Sequence, residues 1–197
     1  MNKVITISRE YGAGGHSIGH RVAQELGIEI YDKDIVRETV KASGFDTELV
    51  QREEEEISRS SAFLKNILSS SAYYHDTQDA IHEVQQAVIL HLAQKGPCVI
   101  LGRCADEVLR RSGIPCLNVF LHAGPLHRAA RVQELTGVSD ATELQRIMTR
   151  KDLSRSKYYT HYTGRPWGDS HNYHLALDTG ILGNDLCVQT ILAAAKR

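Results

Sequence analysis

The chain has little of what marks most specialised protein classes. Its 197 residues include four cysteines, Cys98, Cys104, Cys116 and Cys187, and no CxxC pair. That spacing offers neither a disulfide framework nor a thiolate metal site. Cys98 and Cys116 stand at or beside apolar runs, where cysteine behaves as a small hydrophobe. Charge of either sign is not in excess, with 23 Lys and Arg against 24 Asp and Glu. No sequence-wide basic field therefore points to nucleic acid or a membrane surface. No apolar run approaches the roughly 18 residues needed to cross a bilayer. The first residues lack the apolar stretch of a signal peptide. There are four prolines, no internal repeat and no low-complexity linker. These absences lead to the expectation of a reduced, cytoplasmic protein. It is one domain, or one domain carrying inserted subdomains. His171-Asn172-Tyr173-His174 suggests half a metal site, but further ligands are not evident, so solvent-facing histidines are expected.

What is present is concentrated at the start. Lys3-Val4-Ile5-Thr6-Ile7-Ser8 is rich in β-branched residues and runs into Arg9-Glu10-Tyr11-Gly12-Ala13-Gly14-Gly15-His16-Ser17. A helical apolar pattern, Ile18, Val22 and Leu26, follows at once. Strand, glycine loop and helix form the layout that cradles a phosphate. Glycines let successive N–H groups turn toward one anion, and the helix start adds unpaired donors and a positive dipole end. The loop residues Gly12, Ala13, Gly14, Gly15, His16 and Ser17 are the candidate binders of that phosphate. The loop is not a regular G-x-x-x-x-G-K-[ST]. In register with Gly14, Arg9 stands at the first glycine and Gly15 at the lysine, while Ser17 keeps the hydroxyl that would hold Mg²⁺. The competing reading is a glycine-rich turn with no ligand. A dinucleotide fingerprint fits poorly, because His16 falls near its third glycine.

Five short apolar runs read as strands, at 4–8, 28–32, 98–102, 117–122 and 174–178. Most are continuous rather than alternating, as in a sheet buried on both faces. Helical patterns lie at 19–26, 34–42, 80–94, 105–111, 125–135, 142–156 and 186–195. Alternation of the two predicts an α/β fold with a parallel sheet. Residues 33–95 hold no strand-like run and read as helical. Within them Glu53-Glu54-Glu55-Glu56 is expected to be a solvated helix face.

Several side chains could act with the loop. Gly102-Arg103 closes the third strand, where open sheets present ligands, and an arginine there can fork onto a phosphate. The plainer reading is a surface arginine starting a helix. Asp32 can accept from a ribose or lie near the attacking phosphate, or it can cap the next helix. Asp106 reads as a helix N-terminal acid. Arg155 follows Asp152 by three residues, which puts both on one helix face, either as a surface ion pair or as working charges. Arg128, Arg131, Arg146, Arg150, Lys157 and Arg165 add cationic density near the Gly-rich, aromatic stretch 158–169. Phosphoryl transfer needs positive charge near the transferring group.

Taken together these pieces resemble the cytidylate kinase-like family, a branch of the P-loop nucleoside monophosphate kinases. The resemblance covers nearly the whole chain. It rests on Ser8 to His16, Tyr31-Asp32-Lys33, Val99-Ile100-Leu101-Gly102-Arg103, Asp152-Leu153-Ser154-Arg155, and Tyr158-Tyr159 with Tyr162-Thr163-Gly164-Arg165-Pro166-Trp167-Gly168-Asp169. It implies a five-stranded parallel core (1–32, 96–149 and 171–197) with helices on both faces. It also implies a helical, monophosphate-binding insertion at 33–95 and a lid at 150–170. Further implications are ATP and Mg²⁺ as cofactors and small-molecule nucleotides as partners, with neither nucleic acid nor membrane; nothing in the pattern points to an oligomeric state. Arg103 would contact the acceptor's monophosphate, Asp152 the nucleotide and Arg155 the phosphates in transfer, with Asp32 and Arg165 also on the substrate side. Two departures stand out: Gly15 replaces the loop lysine and Cys104 replaces the Asp after Gly-Arg. Arg9 and His16 are the candidates to supply the missing charge. The expected activity is ATP-dependent phosphoryl transfer to a nucleoside monophosphate or related small acceptor. The alternatives are a kinase of a non-nucleotide metabolite and a nucleotide-binding regulatory module without turnover.

Overall fold

The computed structural model describes residues 4–32 and 71–196. The helix expected at 34–42, the acidic run at 53–56 and much of the insertion at 33–95 lie outside the described residues. Five strands, β1 (Val4–Arg9), β2 (Glu29–Tyr31), β3 (Cys98–Leu101), β4 (Cys116–His122) and β5 (Leu175–Asp178), form one sheet in the order β2-β3-β1-β4-β5. Every pairing is parallel. The helices are α1 (Gly15–Leu26), α2 (Ser71–Lys95), α3 (Ala105–Arg111), α4 (Pro125–Thr136), α5 (Ala141–Thr163) and α6 (Thr179–Ala195). A short 3-10 turn spans Ser170–Asn172. The expected α/β architecture is therefore what the chain adopts.

Side-chain alternation along the buried strands builds two apolar layers. Ile5 and Ile7 of β1, Val99 and Leu101 of β3, and Val119 and Leu121 of β4 meet Ile18 and Val22 of α1 and Val188 and Ile191 of α6. On the opposite face Val4, Cys98 and Ile100 meet Ile89 and Leu92 of α2 and Val108 and Leu109 of α3. Each fully buried aliphatic side chain contributes about 1.5–3 kcal/mol. The second face also carries polar residues that satisfy one another: Thr6 Oγ1 donates to Asn118 Oδ1 at 2.8 Å, and the Asn118 N–H donates to His174 Nδ1 at 2.9 Å.

Four helix boundaries differ clearly from the sequence pattern. α2 starts at Ser71 rather than at 80. α1 starts at Gly15, four residues before the helix expected at 19–26. Its early glycines are present for space: a Cβ on Gly19 would lie 2.9 Å from Leu101 Cδ2. α5 runs unbroken to Thr163 rather than ending at 156. Its last turns look irregular in sequence because their aromatic residues fill a gap instead of tracing a stripe. Tyr159 is buried there and its hydroxyl donates to Asp106 Oδ2 at 2.7 Å. The following segment packs down too: Trp167 Nε1 donates to Ser8 Oγ at 3.0 Å, and its ring meets Phe120 edge-on. α6 begins at Thr179 but breaks at Gly183, whose φ of 71° is left-handed. The expected helix at 186–195 lies in its second part.

Candidate active site

The site lies where the strand order reverses, at the carboxyl ends of β1, β3 and β4, as open α/β sheets require. β1 delivers Arg9 to that edge, and the loop from Glu10 to Gly14 turns into α1. Gly12 and Gly14 have φ of 85° and 74°, which explains glycine at both positions. The N–H groups of Gly15, His16 and Ser17 open α1, where no intrahelical acceptor exists. Together with the helix dipole they make this end of α1 the kind of place that suits an anion.

The loop is fastened from outside. The Tyr11 N–H donates to Asp152 Oδ1 at 2.7 Å. Arg128 Nη1 donates to the other oxygen of Asp152, and Arg128 Nε lies 3.5 Å from Glu10 Oε2. The Ala123 N–H donates to Glu10 Oε2 at 3.2 Å. Thr179 Oγ1 lies within hydrogen-bond distance of the carbonyls of Ala13 and His122, at 3.1 and 3.2 Å. Glu10, Arg128 and Thr179 as supports of the loop were missed in the sequence reading. The only local hint was Arg128, visible as charge but not as a partner of Asp152.

Two arginines, Arg9 and Arg155, meet beside the loop. Arg155 Nη1 donates to the Arg9 carbonyl at 2.8 Å, and its guanidinium sits 5.6 Å from the Tyr11 ring centroid. The Arg9 side chain passes over Gly15 toward Gly102, and its Nη2 is 3.6 Å from Asp32 Oδ1. Arg103 follows Gly102 and acts electrostatically on both other arginines. Burial, and then the charge of Arg155, lowers the Arg9 pKa to about 10. Burial lowers that of Arg155 as well. Both shifts record positive charge held in a poorly solvated place.

The remaining candidates separate from this cluster. His16 is exposed and faces its neighbour one turn on, with Nε2 to Nε2 of His20 at 3.1 Å. Ser17 lies half-buried in the first turn of α1. Arg165 Nη1 is 3.2 Å from Glu107 Oε2 on α3, not on the loop. Arg131 and Arg146 pair with Glu134 and Glu143, each three residues on or back along the same helix face. Much of this cationic density is thus spent in ion pairs, and Arg128 and Arg155 are the members that reach the loop. His171 pairs with Asp169, and His174 accepts from β4. Among the described residues no group of three or more His, Cys, Asp or Glu could hold a metal ion. None of their helices is long and apolar enough to cross a membrane.

The turn from β3 into α3 is unusual. Gly102, Arg103 and Cys104 have φ of 76°, 59° and 54° in succession. Left-handed backbone is uncommon for side-chain-bearing residues, and two in a row carry real strain. Immediately after it, buried Asp106 and Glu107 titrate in opposite directions. Burial holds the Asp106 carboxyl above its ordinary value. Hydrogen bonding from Arg110, opposed by burial and helped by Arg111, brings Glu107 down to about 2. Glu107 therefore adds stability above its ordinary 4.5 that is lost as pH falls toward 2. Asp106 does the reverse: its contribution is fullest below its ordinary 3.8 and is lost as pH rises through its raised value. Urea titrations along the acid limb should show Glu107→Gln flattening the gain of stability with rising pH and Asp106→Asn steepening it. Slopes that change in the same sense would refute the assignment.

Comparison with known proteins agrees with this layout. The sequence profile of the cytidylate kinase-like family matches residues 4–181. A cytidylate kinase of Methanococcus maripaludis is 27% identical over 89 residues, 45% of this chain and 49% of that protein, so the match spans about half of that relative's length. An uncharacterized protein from Eubacterium ventriosum superposes over 98% of both chains with a TM-score of 0.73 and 24% identity. Shikimate kinase from Bacteroides thetaiotaomicron covers all of both chains at a TM-score of 0.54 and 15% identity. A gluconokinase from Sinorhizobium meliloti covers 98% of this chain and 95% of its own at 0.55 and 17%. These structural likenesses establish the fold, a parallel five-stranded sheet of the P-loop kinase kind. With its glycine loop after β1, its Gly102-Arg103 after β3 and a profile match over most of its length, the chain belongs to the cytidylate kinase-like family.

Proposed function

We propose that the protein transfers a phosphoryl group from ATP to a nucleoside monophosphate or a related small acceptor. The observation that carries this reading is that Arg9 and Arg155 lie together beside the glycine loop, where burial lowers the pKa of both. Asp32 offsets part of that positive charge, and what remains suits a further anion. A polyphosphate seated on the N–H groups that open α1, Gly15 to Ser17, would be that anion. Mg²⁺, held by the phosphates and the Ser17 hydroxyl, would neutralise charge developing between the β- and γ-phosphates.

In this reading each residue has a task. The loop backbone orients the donor phosphates. Arg155 faces the transferring group from α5. Arg103, on the β3 side, holds the acceptor's phosphate, and Asp32 beside Arg9 lies where an acceptor would enter. Asp152 is assigned a positioning role, because both of its oxygens already hold the loop and Arg128. Arg165, tied to Glu107, would steady the approach to the same acceptor side. Little covalent chemistry falls to the protein; alignment and charge do most of the work.

The deciding experiment is an acceptor panel (CMP, dCMP, UMP, AMP and small alcohols) with ATP and Mg²⁺, read as ADP formed. Turnover with a monophosphate supports the proposal, and turnover only with an alcohol moves the acceptor to a non-nucleotide metabolite. ATP binding with no turnover on any acceptor favours the regulatory-module reading, which Gly15 in place of the loop lysine already recommends. With an active acceptor, Arg103→Ala should raise its KM by about 30-fold or more, the effect of removing a charge-assisted phosphate contact, and leave ATP affinity within about threefold. Equal losses for both ligands would overturn the role of Arg103.

A further inference from the structure

The regular loop pattern has glycine at its first position and a cation at its seventh. This chain carries Arg9 at the first and Gly15 at the seventh. The structure explains why both changed. α1 is helical from Gly15, and Gly15 is absent from the glycines with positive φ, so its backbone does not call for glycine. Space does. A Cβ on Gly15 would lie 2.6 Å from Arg9 Cγ, 2.9 Å from its Cβ and 3.3 Å from its Cδ. The aliphatic stem of Arg9 therefore lies directly on the Gly15 backbone, over the place from which a lysine side chain would rise. Its guanidinium end needs room too: a Cβ on Gly102 would be 2.6 Å from Arg9 Nη1. Asp32, 3.6 Å from Nη2, is its acidic neighbour. Its side chain is only 18% exposed.

We infer that the phosphate-binding cation of this loop has moved from the helix start to the end of β1, so that Arg9 does the work of the missing lysine and Gly15 is small to let it pass. The inference rests on the reading of the loop as a phosphate site and adds to it which residue supplies the charge. It also excludes the other candidate, since His16 lies on the outer face of α1 against His20. Arg9 approaches from the β3 side, between the donor cradle and Arg103. A forked, permanently charged group in that position can touch donor and acceptor phosphates together, which a lysine rising from α1 reaches only from the donor side.

The test is a compensating exchange. The wild type, Arg9→Gly, Gly15→Lys and the double variant Arg9→Gly/Gly15→Lys, which restores the first glycine and the lysine of the regular pattern, are titrated calorimetrically with ATP–Mg²⁺ and, separately, with inorganic tripolyphosphate. Each single variant should lose at least about 30-fold in affinity for both ligands, the loss expected for a charge-assisted contact. The double variant should return to within about fivefold of the wild type. Losses that simply add, or an Arg9→Gly protein within about twofold of wild type, overturn the inference. If Gly15→Lys does not fold, Arg9→Met decides, because it keeps the stem over Gly15 and removes only the charge. Native-like melting with about 30-fold weaker tripolyphosphate binding supports the inference, and unchanged binding refutes it. A wild type that binds tripolyphosphate with this pattern but forms no ADP with any acceptor removes the kinase reading and leaves the relocated cation standing. A wild type that binds neither ligand removes both.

Discussion

Arg155→Ala is expected to lower kcat by at least about 100-fold while ATP affinity changes by less than about threefold, measured with whichever acceptor the panel identifies. The expectation follows from where α5 puts this side chain. It crosses to the Arg9 carbonyl and lies against the Tyr11 ring, half-buried beside the loop. It is not the exposed partner of Asp152 that the three-residue spacing suggested; Asp152 spends its oxygens on Tyr11 and Arg128. A half-buried cation next to a phosphate cradle gains most when charge spreads over the equatorial oxygens of the transferring group. A merely structural Arg155 would behave differently, lowering the melting temperature and ATP affinity together and kcat only modestly. Partial recovery of kcat on adding free guanidinium to Arg155→Ala would mark the charge itself as the missing element. A variant with near-normal kcat would sink the assignment.

Asp152→Ala should destabilise the fold by about 1–3 kcal/mol, because the Tyr11 N–H loses its acceptor and Arg128 keeps only its longer contacts to Glu10 and the Tyr11 carbonyl. Arg128 is 12% and Asp152 17% exposed, so water replaces the lost contacts poorly. Against a total stability of roughly 5–15 kcal/mol, that loss is a substantial share. Replacing both partners with apolar residues, Arg128→Met with Asp152→Leu, should recover part of it, since neither charge of the pair is left without the other, although the Tyr11 N–H and Glu10 still lose their partners. Urea midpoints of the two single variants and the double variant supply the cycle. A cost below about 1 kcal/mol for Asp152→Ala would put this pair among ordinary surface bridges and return Asp152 to the role of a nucleotide contact.

The sheet was legible because its strands are buried on both faces. Runs such as Val99-Ile100-Leu101 and Val119-Phe120-Leu121 have no alternative but a central position. The turn from β1 into α1 was legible because a β-branched run, a glycine cluster and an apolar helical period follow one another directly. What stayed hidden is long-range. Arg155 and Arg9 are 146 residues apart, and Asp152 and Tyr11 are 141. Local spacing pointed Asp152 toward Arg155, whereas the fold gave it Arg128 from a different helix. The end of α5 was hidden by composition. Tyr158, Tyr159 and Tyr162 look like loop residues until His82 of α2 and Asp106 of α3 are seen beside them. His16 looked as suitable as Arg9 because register counts positions along the chain, and only the structure reveals which side of α1 a side chain leaves from.

The left-handed run at Gly102, Arg103 and Cys104 concentrates backbone tension in a single joint. Each of its two non-glycine residues stands about 1–2 kcal/mol above a right-handed conformation, and the first turn of α3 holds them there. The loop after β1 carries its positive φ on Gly12 and Gly14 and stores no comparable tension. Fraying of the first turn of α3 would let the joint relax and swing Arg103 out of its present direction. Under the proposed function the end of β3 would then be the first part of the site to lose its shape on heating, ahead of the loop and the sheet.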